Sequence, residues 1–587
     1  MTEFSIERLP FERQHVDAWG RSDAQHTDWP VVYVLDSSGR NRKLYVGETV
    51  NAASRMRQHL ASSKKDEGLE SIRVVLGERF NKSVCLDLES HLIRWFHGDG
   101  QYGILNGNDG LSDARYYERE IYRESFRDVF EALRAEGLFS RSIPQIENSD
   151  LFKLSPFKAL TDDQAIAIED IVEGLLADLQ HPDARSTLVV QGDPGTGKTI
   201  IAIFLMKLLA DIRDYQDHDD VEPDSMFAEF FTTENRELLR NLKMALVIPQ
   251  QSLRQSVRQV FKKTPKLDPA MVLTPFQVGE SDAMFDLILV DETHRLSQRA
   301  NQASGVQNKK FREINEKLFG WDDPSRTQLD WIKARSRHRL LLVDGAQSVR
   351  PHDLAPATLE QELRDAREFH RLFPLTTQMR VRAGADYVEY IRALLRGEHP
   401  ERPDLGDYDL HFFDDLGEMR RAIRARDREV GLSRLVAGYA WDWVSRRDPS
   451  AFDIEIDGEP MRWNSTDKDW INAPGSLEEV GSIHTVQGYD LNYAGVIIGP
   501  DLRLGSDGSI VADREAYRDK KGKENTGHLK DAFGDEDLLV FIRNIYGVLL
   551  TRGMLGTYVY VCDEGLRKRL ERQFNGVRET DQTNEST

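Results

Sequence analysis

Apolar and polar positions alternate differently in the two parts of the chain. The short apolar runs VVYVLD (31–36) and KLYVG (43–47) flank the polar turn SSGRNR, which is a hairpin pattern. Helical spacing follows at 51–62 and 84–97, so residues 28–110 read as a small α/β module. Residues 111–150 read as a helical linker, charged and helix-spaced over 113–138 and turn-rich over 140–150. From residue 151 strand-length apolar runs alternate with helical segments: TLVVQGD, MALVIPQ, FDLILVDE, RLLLVDG, RLVAGYA, VGSIHTV, AGVIIGP and TYVYVCD. That alternation predicts βαβ units and parallel sheets. Eight such runs are too many for one small doubly wound domain, and they predict two lobes, 151–374 and 375–574. The fold class is therefore α/β, a small module followed by two parallel-sheet lobes. Residues 1–27 are left as an N-terminal segment. Stretches 211–238 and 501–536 read as insertions, the second as a mobile loop, and 575–587 as a disordered tail.

The length of 587 residues allows about four structural units. No run of about 18 apolar residues occurs, so no membrane span is expected. The charged start MTEFSIERLPFER lacks the apolar core of a secretory signal. Two cysteines, Cys85 and Cys562, make neither a disulfide framework nor a cysteine zinc site; they fit a reducing compartment, and a cytoplasmic protein is expected. Cys85, one helical turn before Glu89, reads as core. The balance of 78 Lys+Arg against 99 Asp+Glu gives a net charge of −21, which excludes a chain coated in basic charge for nonspecific DNA binding. Local basic patches still serve nucleic acid. Residues 40–65 hold seven basic residues against one acid, Glu48, and read as a phosphate-backbone surface; residues 211–224 hold seven acids against Arg213 and read as a solvated loop.

Gly192-Asp193-Pro194-Gly195-Thr196-Gly197-Lys198-Thr199 satisfies GxxxxGK[ST] between a strand-like run and a helical one, the context this phosphate-binding motif requires. Its glycines Gly192, Gly195 and Gly197 let backbone N–H groups converge on phosphates at a helix N-terminus. Lys198 would reach the β- and γ-phosphates of ATP, and Thr199 would bind Mg²⁺. The strand FDLILV then ends in Asp291-Glu292, the first for Mg²⁺ and the second to orient or deprotonate the attacking water. A third strand ends in Asp344 and Gln347, placed to sense the γ-phosphate. Gln164, upstream of the loop, has the amide to pair with an adenine edge.

This order of motifs resembles superfamily 1 helicases over residues 151–570, nearest to Schlafen-type helicase domains. Beyond Gln164, GDPGTGKT, DETHR and VDGAQ, the resemblance takes in VIPQQSLRQSV (247–257), LTTQMR (375–380), IHTVQGYDLNYAGVIIG (483–499) and NIYGVLLTRGM (544–554). It implies two RecA-like lobes with ATP in the cleft and single-stranded nucleic acid across them. It also implies that Arg380 faces the phosphates and that Arg552 acts as an arginine finger. The chain leaves no room for the second-lobe insertions of long unwinding helicases, so ATP hydrolysis and translocation are implied ahead of duplex unwinding.

The N-terminal module carries Tyr33, Tyr45, Arg55, His59, Glu89 and Asn106 in order. A tyrosine or its bound water can serve as base, Arg55 can neutralise a scissile phosphate, and Glu89 can hold one divalent ion. With Val31-Val32-Tyr33 and Tyr45-Val46-Gly47 at the positions of the two naming triplets, residues 28–110 resemble GIY-YIG nucleases, although the first triplet lacks its glycine. The resemblance implies a Mg²⁺ or Mn²⁺ ion at Glu89. The combined expectation is an ATP-driven nucleic-acid translocase or helicase fused to a metal-dependent endonuclease, acting on DNA before RNA, in bacterial restriction, anti-phage defence or repair. The alternative is a nucleic-acid-sensing ATPase whose N-terminal module binds without cutting. The sequence names no protein partner.

Overall fold

The structure, a computed structural model, describes residues 4–61, 67–106, 116–216, 226–299, 305–344, 353–379, 381–466, 470–486, 490–519 and 534–574. The chain forms two compact units. The first comprises residues 1–182, 199–242 and 255–272, and the second 183–198, 243–254 and 273–587.

In the first unit, β1 (Phe4–Pro10), β2 (Val31–Asp36), β3 (Lys43–Thr49), β4 (Ser71–Gly77) and β5 (Gly103–Ile104) form one sheet in the order β1-β4-β2-β3-β5. Its pairs are antiparallel except β3 with β5. Two strands lie beyond what the sequence pattern shows. The segment before residue 28 supplies an edge strand of this sheet, β1, paired with β4 over seven residues. The strand β4 went unread because Arg73 interrupts its apolar run; that buried guanidinium is neutralised by Asp36 and by Glu136, the latter at 2.8 Å. Helix Lys82–Asp99 packs on the sheet, capped by the Asn81 side chain at its start and closed by Gly100 at φ 72°. Its apolar face enters a core with Val32, Val34, Leu44, Val46, Phe126 and Phe130. Within the stretch 140–150 helices Ile143–Glu147 and Asp150–Lys153 begin.

Among the described residues the second unit holds two large sheets and a separate two-stranded one. One contains β6 (Ser186–Gly192), β7 (Met244–Val247), β8 (Val272–Leu273), β9 (Phe285–Val290), β10 (Ser336–Val343) and β11 (Leu372–Leu375) in the order β11-β6-β10-β9-β7-β8. The pairs β11–β6, β6–β10, β10–β9 and β9–β7 are parallel. Such strands are buried on both faces, which is why they read as continuous apolar runs. The other sheet contains β12 (Asp409–Phe412), β13 (Ser433–Ala437), β14 (Ile454–Ile456), β15 (Glu459–Trp463), β16 (Glu479–Ser482), β17 (Leu491–Ile498) and β20 (Gly553–Val561). Their order is β12-β20-β17-β13-β16-β15-β14, parallel except for the β14–β15 hairpin. The run VGSIHTV is only half strand: β16 stops at Ser482 and helix Ile483–Val486 follows. Neither insertion is wholly loop. Stretch 211–238 includes buried Phe227 and Phe230 and most of helix Thr233–Leu239. Stretch 501–536 includes the antiparallel pair β18 (Leu502–Leu504) and β19 (Ile510–Ala512) and buried Tyr517. The tail 575–587 lies outside the described residues. No described helix is long and apolar enough to cross a membrane.

Candidate active sites

Strands β6, β9 and β10 are neighbours whose carboxyl ends bring the first set of candidates together, the place where open parallel sheets bind ligands. Gly192 ends β6, and a Cβ there would sit 2.5 Å from Thr196 Oγ1. Gly195 and Gly197 adopt φ of 90° and 79°, a region that favours glycine. These angles turn the loop into helix Lys198–Arg213, with Thr199 in its first turn. The buried Lys198 ammonium donates to the carbonyls of Gly192 at 2.6 Å and Asp193 at 2.9 Å, and lies 3.4 Å from Asp344 Oδ2. Asp291, buried at the end of β9, accepts from the Glu292 N–H at 2.9 Å.

Glu292 has φ 50°, a left-handed conformation that is strained for a side chain of its size. Its carboxylate lies 3.1 Å from His294 Nε2 and 3.5 Å from Arg295 Nε. Burial raises its pKa, but His294, Arg295 and Lys198 together outweigh burial and hold it below the usual carboxylate range. Glu292 is therefore an anion at neutral pH, suited to accept from and orient a water.

The second sheet's helices reach this loop. Arg392, on helix Gly384–Arg396, grips the Asp193 carboxylate through both terminal nitrogens at 3.1 and 2.9 Å. Gln378 Nε2 donates to the Pro194 carbonyl at 2.8 Å and the Met379 N–H to the Gly195 carbonyl at 2.9 Å. A cavity of about 290 Å³ opens beside Pro194, with Val388, Arg392, Leu395, Asn544 and Thr551 among its walls. Sequence reading missed Arg392, because an ion pair between residues so far apart leaves no local signature. Arg552 is 2% exposed at the junction of helix Asp535–Leu550 and β20. Gln347 and Arg380 lie outside the described residues. Gln164 is buried, and its amide oxygen caps its own helix by accepting from the Thr161 N–H at 3.1 Å.

The second set gathers on the small sheet. Tyr33 faces Gly47 across the β2–β3 ladder, and a Cβ on Gly47 would lie 2.2 Å from the Tyr33 hydroxyl. The glycine of the Tyr45-Val46-Gly47 triplet thus makes room for the tyrosine of the other strand. The Tyr33 hydroxyl hydrogen-bonds His59 Nε2 at 2.7 Å, and the Tyr45 ring meets His59 edge-on at 5.3 Å between centroids. Burial pushes the Tyr33 phenol well up; Arg55 opposes and Glu89 adds to the rise, so both charges act on Tyr33. Tyr33 therefore stays a phenol near neutrality, which fits orienting a partner better than abstracting a proton.

Glu89 is buried on helix Lys82–Asp99, as is Cys85 one turn earlier. Burial, then Glu48 and Glu89, push the Cys85 thiol up, which fits the core role expected of it. Glu48 is itself buried, a second carboxylate that sequence reading counted only as an acid among bases. The Asn106 amide is engaged with the Val46 backbone, accepting from N at 3.1 Å and donating to O at 2.7 Å. It holds β3 in place between Tyr45 and Gly47.

Among the described residues no group of three or more His, Cys, Asp or Glu side chains gathers as a metal cage. The donors present are hard oxygens, the Asp291 carboxylate in one set and the Glu89 carboxylate in the other. That donor chemistry fits Mg²⁺, which keeps waters and substrate phosphate oxygens as its remaining ligands.

Residues 185–563 match the family model described as Schlafen group 3, DNA/RNA helicase domain, and residues 30–101 match the GIY-YIG catalytic domain. An uncharacterized protein of Saccharomyces cerevisiae is 28% identical over 411 residues, covering 68% of this chain and 85% of that protein. Among solved structures, an arterivirus nonstructural protein 10 helicase in complex with DNA aligns at 12% identity and TM-score 0.26, covering 66% of this chain and 62% of that one. Pif1 helicase from Bacteroides, with ADP-AlF3 and single-stranded DNA, aligns at 10% identity and TM-score 0.25, covering 71% of this chain and 98% of that one.

Proposed function

Because the chain belongs to the Schlafen group 3 DNA/RNA helicase domain family, we propose that its two parallel-sheet lobes form an ATP-driven nucleic-acid motor and that its N-terminal module is a metal-dependent endonuclease. The observation that carries the motor is the convergence of Lys198, Asp291 and Asp344 at neighbouring strand ends, with Arg392 of the second lobe on the same loop. Lys198 leaves its carbonyl partners to take the β- and γ-phosphates of ATP. Thr199 and Asp291 would hold Mg²⁺, which neutralises charge on the transferring phosphoryl group. Glu292 orients the attacking water. Arg552, and Arg380 by resemblance, complete the site from the second lobe, and Gln164 is the residue proposed to meet adenine.

In the nuclease module Arg55 neutralises the scissile phosphate. Tyr33 and His59 form a hydrogen-bonded pair that orients a water, with Tyr45 beside them. Glu89 would hold Mg²⁺ or Mn²⁺, which stabilises the leaving oxygen. The substrate class is nucleic acid, DNA before RNA, and the setting is restriction, anti-phage defence or repair.

The test is ATP turnover by wild type and Lys198→Ala with single-stranded DNA, duplex DNA and RNA, while the same strands are watched for cuts. Stimulated turnover lost in Lys198→Ala, with Mg²⁺- or Mn²⁺-dependent cuts by wild type, is expected. Turnover that survives Lys198→Ala overturns the motor assignment. A motor active on nucleic acid that never cuts favours a module that only binds.

A further inference from the structure

The helix that carries Glu89 ends in a socket. The carboxylate of its last residue, Asp99, accepts from Ser140 Oγ at 3.0 Å and from the Arg141 N–H at 3.0 Å. Gly98 is packed so closely that a Cβ would lie 2.8 Å from Ile146 Cγ2 and 2.9 Å from Phe152 Cβ. Between them His97, 1% exposed, joins three segments. Its Nδ1 is 2.9 Å from the Leu151 carbonyl, which fixes the proton there. Its Nε2 lies 3.3 Å from the Thr264 hydroxyl, which donates to the Val260 carbonyl at 2.8 Å, and its ring stands edge-on to Phe157 at 5.2 Å. Thr264 follows helix Gln251–Lys263, whose Lys263 donates to the Gly100 carbonyl at 2.8 Å and whose Ser256 donates to Asp150.

Phe157 also neighbours helix Lys198–Arg213. Lys207 lies 5.8 Å from the Phe157 ring centroid and pairs with Asp211, both buried, and Lys266 adds a contact to Asp211 at 3.1 Å. The Phe157 ring thus stands beside a side chain of each helix that carries chemistry, His97 on one and Lys207 on the other. At a rise of 1.5 Å per residue, Glu89 is about 12 Å along its helix from His97, and Lys198 about 13 Å from Lys207. Side chains so closely packed and hydrogen-bonded transmit displacement rather than absorb it.

We propose that His97 is a positioning residue that couples the phosphate-loop helix to the nuclease helix, so that nucleotide at Lys198 sets the placement of Glu89 and with it the rate of cleavage. This rests on the nuclease and motor readings above and adds a route between them. The experiment measures cleavage of one end-labelled strand without nucleotide and with adenylyl imidodiphosphate, for wild type, Thr264→Val and His97→Gln, with ATP turnover and melting temperature recorded for each. Wild-type rates differ between the two conditions by roughly tenfold, within the usual range for coupled sites. Thr264→Val removes the hydroxyl beside Nε2 together with its bond to the Val260 carbonyl, and it brings that ratio to within about twofold while nucleotide-free cleavage and ATP turnover stay at wild-type level. If His97→Gln does not fold, Thr264→Val carries the test alone. Wild-type cleavage that ignores the analogue, or an undiminished ratio in Thr264→Val, overturns the coupling and leaves the nuclease reading intact. A wild type that never cuts overturns both.

Discussion

Acid should loosen the packing around His97. Burial lowers the pKa of this imidazole, the Leu151 carbonyl opposes the shift, and Lys263 and Lys207 reinforce it, leaving the value at about 4 against an ordinary 6.5. The folded form thus holds His97 neutral, whereas the unfolded chain protonates it near 6.5. Stability from this residue is fully present above that pH and is lost as pH falls through about 4. The lowering from 6.5 to about 4 corresponds to about 3 kcal/mol. That is roughly 6–12 °C in the melting temperature of a unit of this size. His97→Gln has no ionisation to suppress. The assay is scanning calorimetry of wild type and His97→Gln between pH 7.5 and 4, comparing how far the transition that contains the first unit moves. The wild-type midpoint should fall further over this range by several degrees. Parallel falls in the two proteins would show that His97 is not held neutral and would refute the reasoning.

Glu292→Gln should bind ATP normally and hydrolyse it at least about 100-fold more slowly, because the water-orienting anion is gone while the loop is untouched; equal turnover in a single-turnover assay contradicts this. Arg552→Ala should lower turnover at saturating ATP by about 10³-fold or more with little change in ATP affinity. If affinity falls and saturated turnover does not, Arg552 is a ground-state contact.

The parts of the molecule legible in its sequence are those whose signals are local. The strands leading into Gly192, Asp291 and Asp344 are buried on both faces, so each reads as an apolar run that stops at its functional residue. The tyrosines of β2 and β3 were found by order alone, and the close approach of Tyr33 to Gly47 shows why that glycine is present. What escaped depends on distant partners. Arg73 disguised β4 because Asp36 and Glu136, which make its burial tolerable, lie elsewhere in the chain. The bonds of Asn106 to the Val46 backbone, 60 residues away in the chain, leave no local signature. Arg392 on Asp193 and His97 on Thr264 join segments more than 150 residues apart.

The separability of the two chemistries is tested most directly by cleavage and ATP turnover on one nucleic acid for wild type, Glu89→Ala and Lys198→Ala. Glu89 lies on the small sheet's helix and Lys198 at the end of β6, so each substitution should silence its own reaction. The account predicts that Glu89→Ala abolishes metal-dependent cleavage and keeps nucleic-acid-stimulated ATP turnover, while Lys198→Ala abolishes turnover. Cleavage by Glu89→Ala at an unchanged rate would contradict it.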